Sequence, residues 1–213
     1  MLVGERMSRP VITISPETPI HDAVNLMKKE RISRLPVVKS NKLLGIVTEK
    51  DLINASPSAA TTLSVWEMNY LLSKITVKEV MTKEVITVNE DTPIEDAARL
   101  MADKDIGGMP VLRGKEVVGI ITETDLFKIF LELMGARERG VRVTMLIHEQ
   151  PGQLAKLTNT ISQAGGNFVA IGTILGEGVS NRLLTFKATG IGLNEVLQLI
   201  EPLAEKVVDI RIS

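Results

Sequence analysis

The chain has 213 residues, of which 44% are hydrophobic, 24% charged and only 3% aromatic. This is the composition of a folded protein with a core of Val, Ile, Leu, Met and Ala, and a net charge of -1 supplies no concentrated basic face for nucleic acid. There is no cysteine, which excludes disulfides, thiolate metal sites and cysteine nucleophiles and fits a reducing compartment. The opening segment MLVGERMSRP lacks the apolar stretch of a signal peptide, and no run is long enough to span a bilayer. The expectation is a cytoplasmic protein with no membrane partner.

An internal repeat is the main feature. Residues 3–55 align with 77–129 at a constant offset of 74 without a gap, with 22 identities in 53 positions. VITISPETPIHDAVNLM answers VITVNEDTPIEDAARLM, LGIVTEKDL answers VGIITETDL, and prolines recur at Pro19/Pro93 and Pro36/Pro110. In the first copy, Val11–Ile14 is a β-branched run stopped by Ser15-Pro16, which predicts a strand. Thr18-Pro19 predicts a helix start with Thr18 as its N-cap, and Ile20, Ala23, Val24 and Met27 share one apolar face. Leu35–Val38 reads as a strand with Pro36 near its start, Asn41-Lys42 as a turn, and Leu43–Val47 as the returning strand. Thr48 caps a second helix that begins at Glu49. The order β-α-β-β-α is written twice. Half of such a unit cannot cover its own sheet, so the copies are expected to pack on each other as a pseudo-symmetric pair.

Chemistry concentrates where the second strand of each copy meets its second helix. Gly45-Ile46-Val47-Thr48-Glu49-Lys50-Asp51 recurs as Gly119-Ile120-Ile121-Thr122-Glu123-Thr124-Asp125. A helix start with a hydroxyl suits a phosphate, and a carboxylate one turn on can accept from a ribose diol. The same residues are also half of an ordinary capping box.

Thr-Pro, then Pro-Val-Val, then Gly-h-h-Thr-x-x-Asp (h is hydrophobic), in tandem, resembles the CBS domains, the paired Bateman module, over residues 1–133. The resemblance implies adenosine ligands such as AMP, ADP, ATP or S-adenosylmethionine, acting as regulatory ligands and not as cofactors. It implies that Asp51 and Asp125 hold ribose hydroxyls and that Thr48 and Thr122 contact phosphate. Ile12-Thr13 and Ile86-Thr87 would meet the adenine with backbone groups, and Leu35-Pro36 and Met109-Pro110 would flank the base. Arg34 precedes Leu35 and offers phosphate a fixed fork of donors; its counterpart is Gly108, so the two sites are expected to be unequal. Between the copies, Ser56-Pro57 breaks the helix, and Leu63, Trp66 and Tyr70, with Leu71 beside them, form a helical stripe. We read it as a packing helix or a dimer contact. This insert and the C-terminal unit together are similar to the acetoin utilization protein B (AcuB-like) family, which implies a role in acetoin catabolism.

Gly135–Gly140 marks a boundary. Beyond it, Val141–Ile147 predicts a strand, Gln150-Pro151-Gly152 a turn, and Leu154, Leu157 and Ile161 a helix stopped by Gly165-Gly166. Phe168–Leu175 and Leu183–Ala188 predict strands joined by a loop over Gly176–Asn181. Asn194 caps a helix with Val196, Leu197 and Ile200 inward, and Val207–Ile212 is a last strand. This β-α-β-β-α-β order is the ferredoxin-like split βαβ. With its Pro-Gly turn, the leucine two residues on and Asn167 opening the second strand, it resembles an ACT domain. That resemblance implies edge-to-edge pairing and an amino acid or other small metabolite held by Gly152, Gln153, Leu154 and Asn167. The family's usual Asp two residues before the proline is Glu149 here, which leaves the ligand's identity open.

The expected fold class is therefore α+β, with a CBS copy at 1–60, a linker helix at 61–76, a second copy at 77–134 and an ACT domain at 140–213. His21 and His148 are the only histidines and show no metal-ligand spacing. There is no nucleophile elbow or P-loop. No catalytic or metal-binding residue is assigned. The function expected is a non-enzymatic sensor that forms a homodimer, since both module types self-associate, and that acts on an unknown target protein. The alternative is a dimerising adaptor without a small ligand.

Overall fold

The computed structural model describes residues 1–55 and 74–213. The proposed linker helix lies almost wholly outside the described residues. The chain divides into two compact units, Met1–Leu126 and Phe127–Ser213, and each is described by itself.

In the first unit the two copies fold alike. Copy one contains α1 (Val3–Arg6), α2 (Ile20–Glu30), β1 (Arg34–Lys39), β2 (Lys42–Thr48) and α3 (Glu49–Asn54). Copy two contains α4 (Val77–Val80), β3 (Val88–Asn89), α5 (Ile94–Lys104), β4 (Gly108–Arg113), β5 (Glu116–Thr122) and the first four residues of α6 (Glu123–Leu133). The α2 face is as the periodicity predicts: Ile20, Ala23 and Met27 are buried, with Val24 packed against the same core.

Three local expectations are corrected. The run Val11–Ile14 makes only one bridge, Ile14 to Val37, and its counterpart is the two-residue β3 beside β4. These segments skirt the sheet and do not cross it. Thr18 does not cap α2: the N-cap residue is Pro19, and the Thr18 carbonyl accepts instead from Val77 N at 2.9 Å. The hairpin turn is Ser40-Asn41, both at positive φ (49° and 61°), the geometry that lets a two-residue turn follow the strand twist.

The copies exchange their first helices. Val3 and Met7 are buried in the core of copy two with Val88, Ala97, Met109 and Ile121. Val77 is buried in the core of copy one with Ile20, Leu35, Val47 and Leu52. Backbone bonds fix the exchange symmetrically. Val3 N donates to Thr92 O at 2.9 Å and Val77 N to Thr18 O at 2.9 Å. Ser8 bridges Ile120 and Thr82 bridges Ile46. The sequence repeat therefore does not coincide with either structural core.

In the second unit β6 (Val141–His148), α7 (Gln153–Gln163), β7 (Asn167–Leu175), β8 (Asn181–Thr189), α8 (Leu193–Ile200) and β9 (Lys206–Ile212) follow the predicted order. The sheet order is β7-β8-β6-β9, the ferredoxin-like arrangement. Its core joins Val143, Met145, Leu184 and Phe186 of the sheet to Leu157, Ile161, Val196 and Ile200 of the helices. Leu154 does not belong to that core and is 46% exposed. The N-cap of α8 is Gly192, not Asn194. Lys187 is buried, and its Nζ donates to the carbonyls of Gly135 at 3.0 Å and Glu138 at 2.9 Å. The charge is thus compensated by two carbonyl dipoles that tie the Gly135–Gly140 segment to the sheet.

The exchange makes Gly45 a demanding position. A Cβ there would lie 2.5 Å from Met81 Sδ and 2.8 Å from Thr82 O, and the second of these is backbone held in the bridge to Ile46. Gly45→Ala should destabilise the first unit by about 1–3 kcal/mol. Chemical denaturation checks this; an unchanged midpoint would show that the exchanged segment is loosely held at Gly45.

Candidate functional site

A cleft of about 480 Å³ opens between the two copies, within the usual range of about 300–1,000 Å³ for small-molecule sites. One wall comes from copy one: Ser33, Arg34, Ile46 and Thr48 to Lys50. The other comes from copy two: Thr82, Glu84 to Ile86, and Asp105 to Gly108. Ladder register explains the first wall. Arg34 lies directly opposite Thr48 in the β1–β2 pair, so the guanidinium-bearing residue and the helix cap reach the same edge of the sheet.

Thr48 and Asp51 form a reciprocal cap. Thr48 N and Oγ1 donate to Asp51 Oδ2 at 2.8 and 2.7 Å, and Asp51 N donates to Thr48 Oγ1 at 3.3 Å. Thr122 repeats this with Asp125 Oδ2, at 3.0 Å from its N and 2.8 Å from its Oγ1. The hydroxyl proton of Thr48 is therefore engaged by a carboxylate, and a ligand phosphate would have to compete for it. The Glu49 amide is also engaged, donating to Ser33 O at 2.9 Å.

Arg34 differs from these. Its side chain crosses to copy two and lies on Gly107 and Gly108: a Cβ on Gly107 would sit 2.5 Å from Arg34 Nη2, and one on Gly108 would sit 3.1 Å from Arg34 Nη1. Those two glycines make room for the guanidinium. Burial lowers the Arg34 pKa from its ordinary value, and the nearby Glu123 carboxylate opposes that shift. Among the described residues no acceptor is hydrogen-bonded to it.

Of the residues expected from sequence, Arg34, Thr48 and Ile86 line this cleft. Leu35 and Met109 are fully buried beneath it in the two cores, with Pro36 and Pro110 also buried. Asp51 stands one turn behind Thr48. Ile12, Thr13, Thr122 and Asp125 belong by the 74-residue offset to the equivalent side of the pair, and Thr87 follows Ile86. Sequence reasoning did not name Lys50, Glu84 or Asp105, whose side chains are charged and whose positions depend on contacts between copies.

A model of the CBS domain matches residues 3–58 and 77–132, and a model of the TTHA0829-like ACT domain matches 139–211. The chain belongs to the CBS-domain family. Among solved structures, the CBS pair of protein MJ0100, in complex with 5′-methylthioadenosine and S-adenosyl-L-methionine, is 33% identical. It covers 65% of this chain and 98% of that one at a TM-score of 0.52. A protein described by acetoin utilization (AcuB) from Vibrio cholerae is 30% identical, covering 64% and 95%, at 0.54. CBSX2 in complex with AMP is 26% identical, covering 62% and 97%, at 0.53. L-Aspartate semialdehyde sulfurtransferase of Methanocaldococcus jannaschii is 34% identical over 61% of this chain but 23% of its own length. The chain spans less than half the length of the curated relatives it matches first. CBS-domain proteins are generally regulatory, and the matched relatives named as enzymes extend well beyond the region they share with this chain.

The ACT unit has a cleft of its own, about 500 Å³, at the Pro151-Gly152 turn. Gly152 is there because φ is 89°, a left-handed value that favours glycine. Gly152, Gln153 and Leu154 line it, which accounts for the exposure of Leu154. Asn167 does not: it opens β7, while Thr173, further along the same strand, lines the cleft. Arg182 and His148 also line it. Arg182 Nε pairs with Glu149 Oε2, and His148 Nδ1 with Glu205 Oε1. No helix of the described residues is long and apolar enough to cross a membrane, and no cluster of three metal-ligating side chains occurs among them.

Because Thr48 and Asp51 act as one cap, Thr48→Ala and Asp51→Ala should each cost about 1 kcal/mol, and the double variant little more than either single one. Equilibrium unfolding of the three variants checks this. Fully additive losses would show that the two side chains stabilise α3 independently.

Proposed function

We propose that this protein is a ligand-binding regulator whose CBS pair takes an adenine nucleotide or S-adenosylmethionine in the cleft between its copies. The observation that carries this reading is Arg34: a half-buried cationic fork, at the edge of a cleft of suitable size, without a hydrogen-bonded acceptor among the described residues. A guanidinium in that state gains strongly from a phosphate or carboxylate, because charge-assisted bidentate bonds are about twice as strong as neutral ones. The complexes of MJ0100 with 5′-methylthioadenosine and S-adenosyl-L-methionine and of CBSX2 with AMP support the same ligand class.

On this reading Arg34 takes the anionic group, Asp51 and Asp125 accept ribose hydroxyls, and Ile86 and Ile12 face the base. The ACT cleft takes an amino acid or other small metabolite, with Arg182 as the group that would meet its carboxylate once released from Glu149. The protein acts as a cytoplasmic homodimer on a target enzyme or transporter. The likeness to AcuB of Vibrio cholerae supports a role in acetoin utilization.

Thermal unfolding with AMP, ADP, ATP, S-adenosylmethionine and the amino acids tests the reading. A ligand at about 100 times its Kd stabilises by roughly 2.7 kcal/mol, and each kcal/mol moves the midpoint of a chain this size by about 2–4 °C. The expected result is a rise with an adenosine ligand that is much reduced in Arg34→Gln. No rise with any adenosine ligand, from protein that denaturation and mass analysis show to be ligand-free, leaves the adaptor role in its place.

A further inference from the structure

Arg34 stands between two equivalent places, not inside one. By the 74-residue offset Ser33-Arg34 and Gly107-Gly108 are counterparts, and all four line the cleft. The side chain of Arg34 lies on its own counterpart, Gly108. Two residues related by the internal symmetry therefore meet, and there is room for one guanidinium only. A second arginine at 108 would bring like charges together in the space that Arg34 fills.

Glu123 reaches the same point from the other side. It is the first residue of α6, immediately after the Thr122 cap, and its amide donates to Gly107 O at 3.2 Å. A Cβ on Gly107 would lie 2.9 Å from Glu123 Oε2 as well as 2.5 Å from Arg34 Nη2. The carboxylate and the guanidinium thus converge over one glycine, and the attraction between them is felt at Arg34. The cleft also carries Lys50 as a second cation and Glu49, Glu84 and Asp105 as further carboxylates.

We propose that Glu123 is a specificity-determining residue: it competes with the ligand's anionic group for Arg34, and so sets how strongly the cleft distinguishes a phosphorylated ligand from an uncharged one. This rests on the adenine-ligand reading given above. A neutral nucleoside leaves the attraction between Glu123 and Arg34 undisturbed. A nucleoside monophosphate must draw Arg34 toward itself and leave the carboxylate behind, at a cost set by Glu123. A triphosphate meets the same competition and more carboxylate repulsion, so selection runs against extra negative charge.

Calorimetric titration of the full chain with adenosine, AMP and ATP tests the proposal in wild type, Glu123→Gln, Arg34→Gln and the double variant. Glu123→Gln should tighten AMP about tenfold, in the usual range of coupling between interacting groups. It should tighten ATP at least as much and leave adenosine unchanged. In the Arg34→Gln background the gain should vanish. Glu123→Asp, which keeps the charge, should retain wild-type discrimination if Glu123→Gln unfolds. Equal changes for adenosine and AMP, no change for AMP, or a gain that survives without Arg34 would each overturn the proposal. Wild-type protein that binds AMP but shows no Glu123 effect sinks this inference alone; wild-type protein that binds none of the three sinks the adenine-ligand reading with it.

Discussion

The exchange of first helices between the copies is the constraint on which the first unit depends. Neither core is complete without the other copy: Val3 and Met7 fill the second, Val77 the first. The exchange is enforced by backbone bonds, Val3 to Thr92 and Val77 to Thr18, and by glycines that admit the crossing chain. Met81 lies against Gly45, and Met7 against Gly119. A small core supplies little stability alone, and sharing segments joins two small cores into one cooperative body. The cleft between copies is a by-product of that union, since its two walls are held together by chain that belongs to both.

Within this frame the site's chemistry follows from broken symmetry. Duplication copied the cap: Thr48 with Asp51 and Thr122 with Asp125 have nearly the same geometry. It did not preserve position 34, where one copy carries arginine and the other glycine. Caps serve the helices first, and their donors are largely engaged. The arginine is the unmatched group, and its freedom from the internal symmetry is what gives the cleft a direction.

Much of this was legible in the sequence, and the reasons for the rest are physical. Helix faces and the Thr48 cap depend on neighbours within about one helical turn, so periodicity and capping rules find them. The ferredoxin-like order was legible for the same reason, each element being bounded by Gly, Pro or Asn. The strand over Val11–Ile14 was over-read because β-branched residues also suit an extended segment with a single bridge. The exchange was invisible: an alignment of copy on copy shows that Val3 and Val77 are equivalent, but not that each packs in the other's core. For the cleft, Arg34, Thr48 and Ile86 could be named from motif positions. Glu123 and Gly107 could not, because they approach Arg34 across more than seventy residues of chain. In the ACT unit Gly152, Gln153 and Leu154 line the cleft because they sit at the local turn, whereas Arg182 and Thr173 arrive there through strand register.

The same connectivity bears on how occupancy would be transmitted. A ligand changes a protein's arrangement only to the extent that it binds one arrangement better than another. Thr82 lines the cleft and is also the residue whose backbone bridges Ile46 of the other copy. Val85 and Ile86 lie three and four residues further along the same segment. A ligand that draws on Ile86 from one side and Arg34 from the other therefore spans the two walls, one of which is a short segment anchored at the exchange. Any difference in cleft width between the two arrangements would be felt first at Thr82–Ile46, where the exchanged segment joins the sheet of copy one.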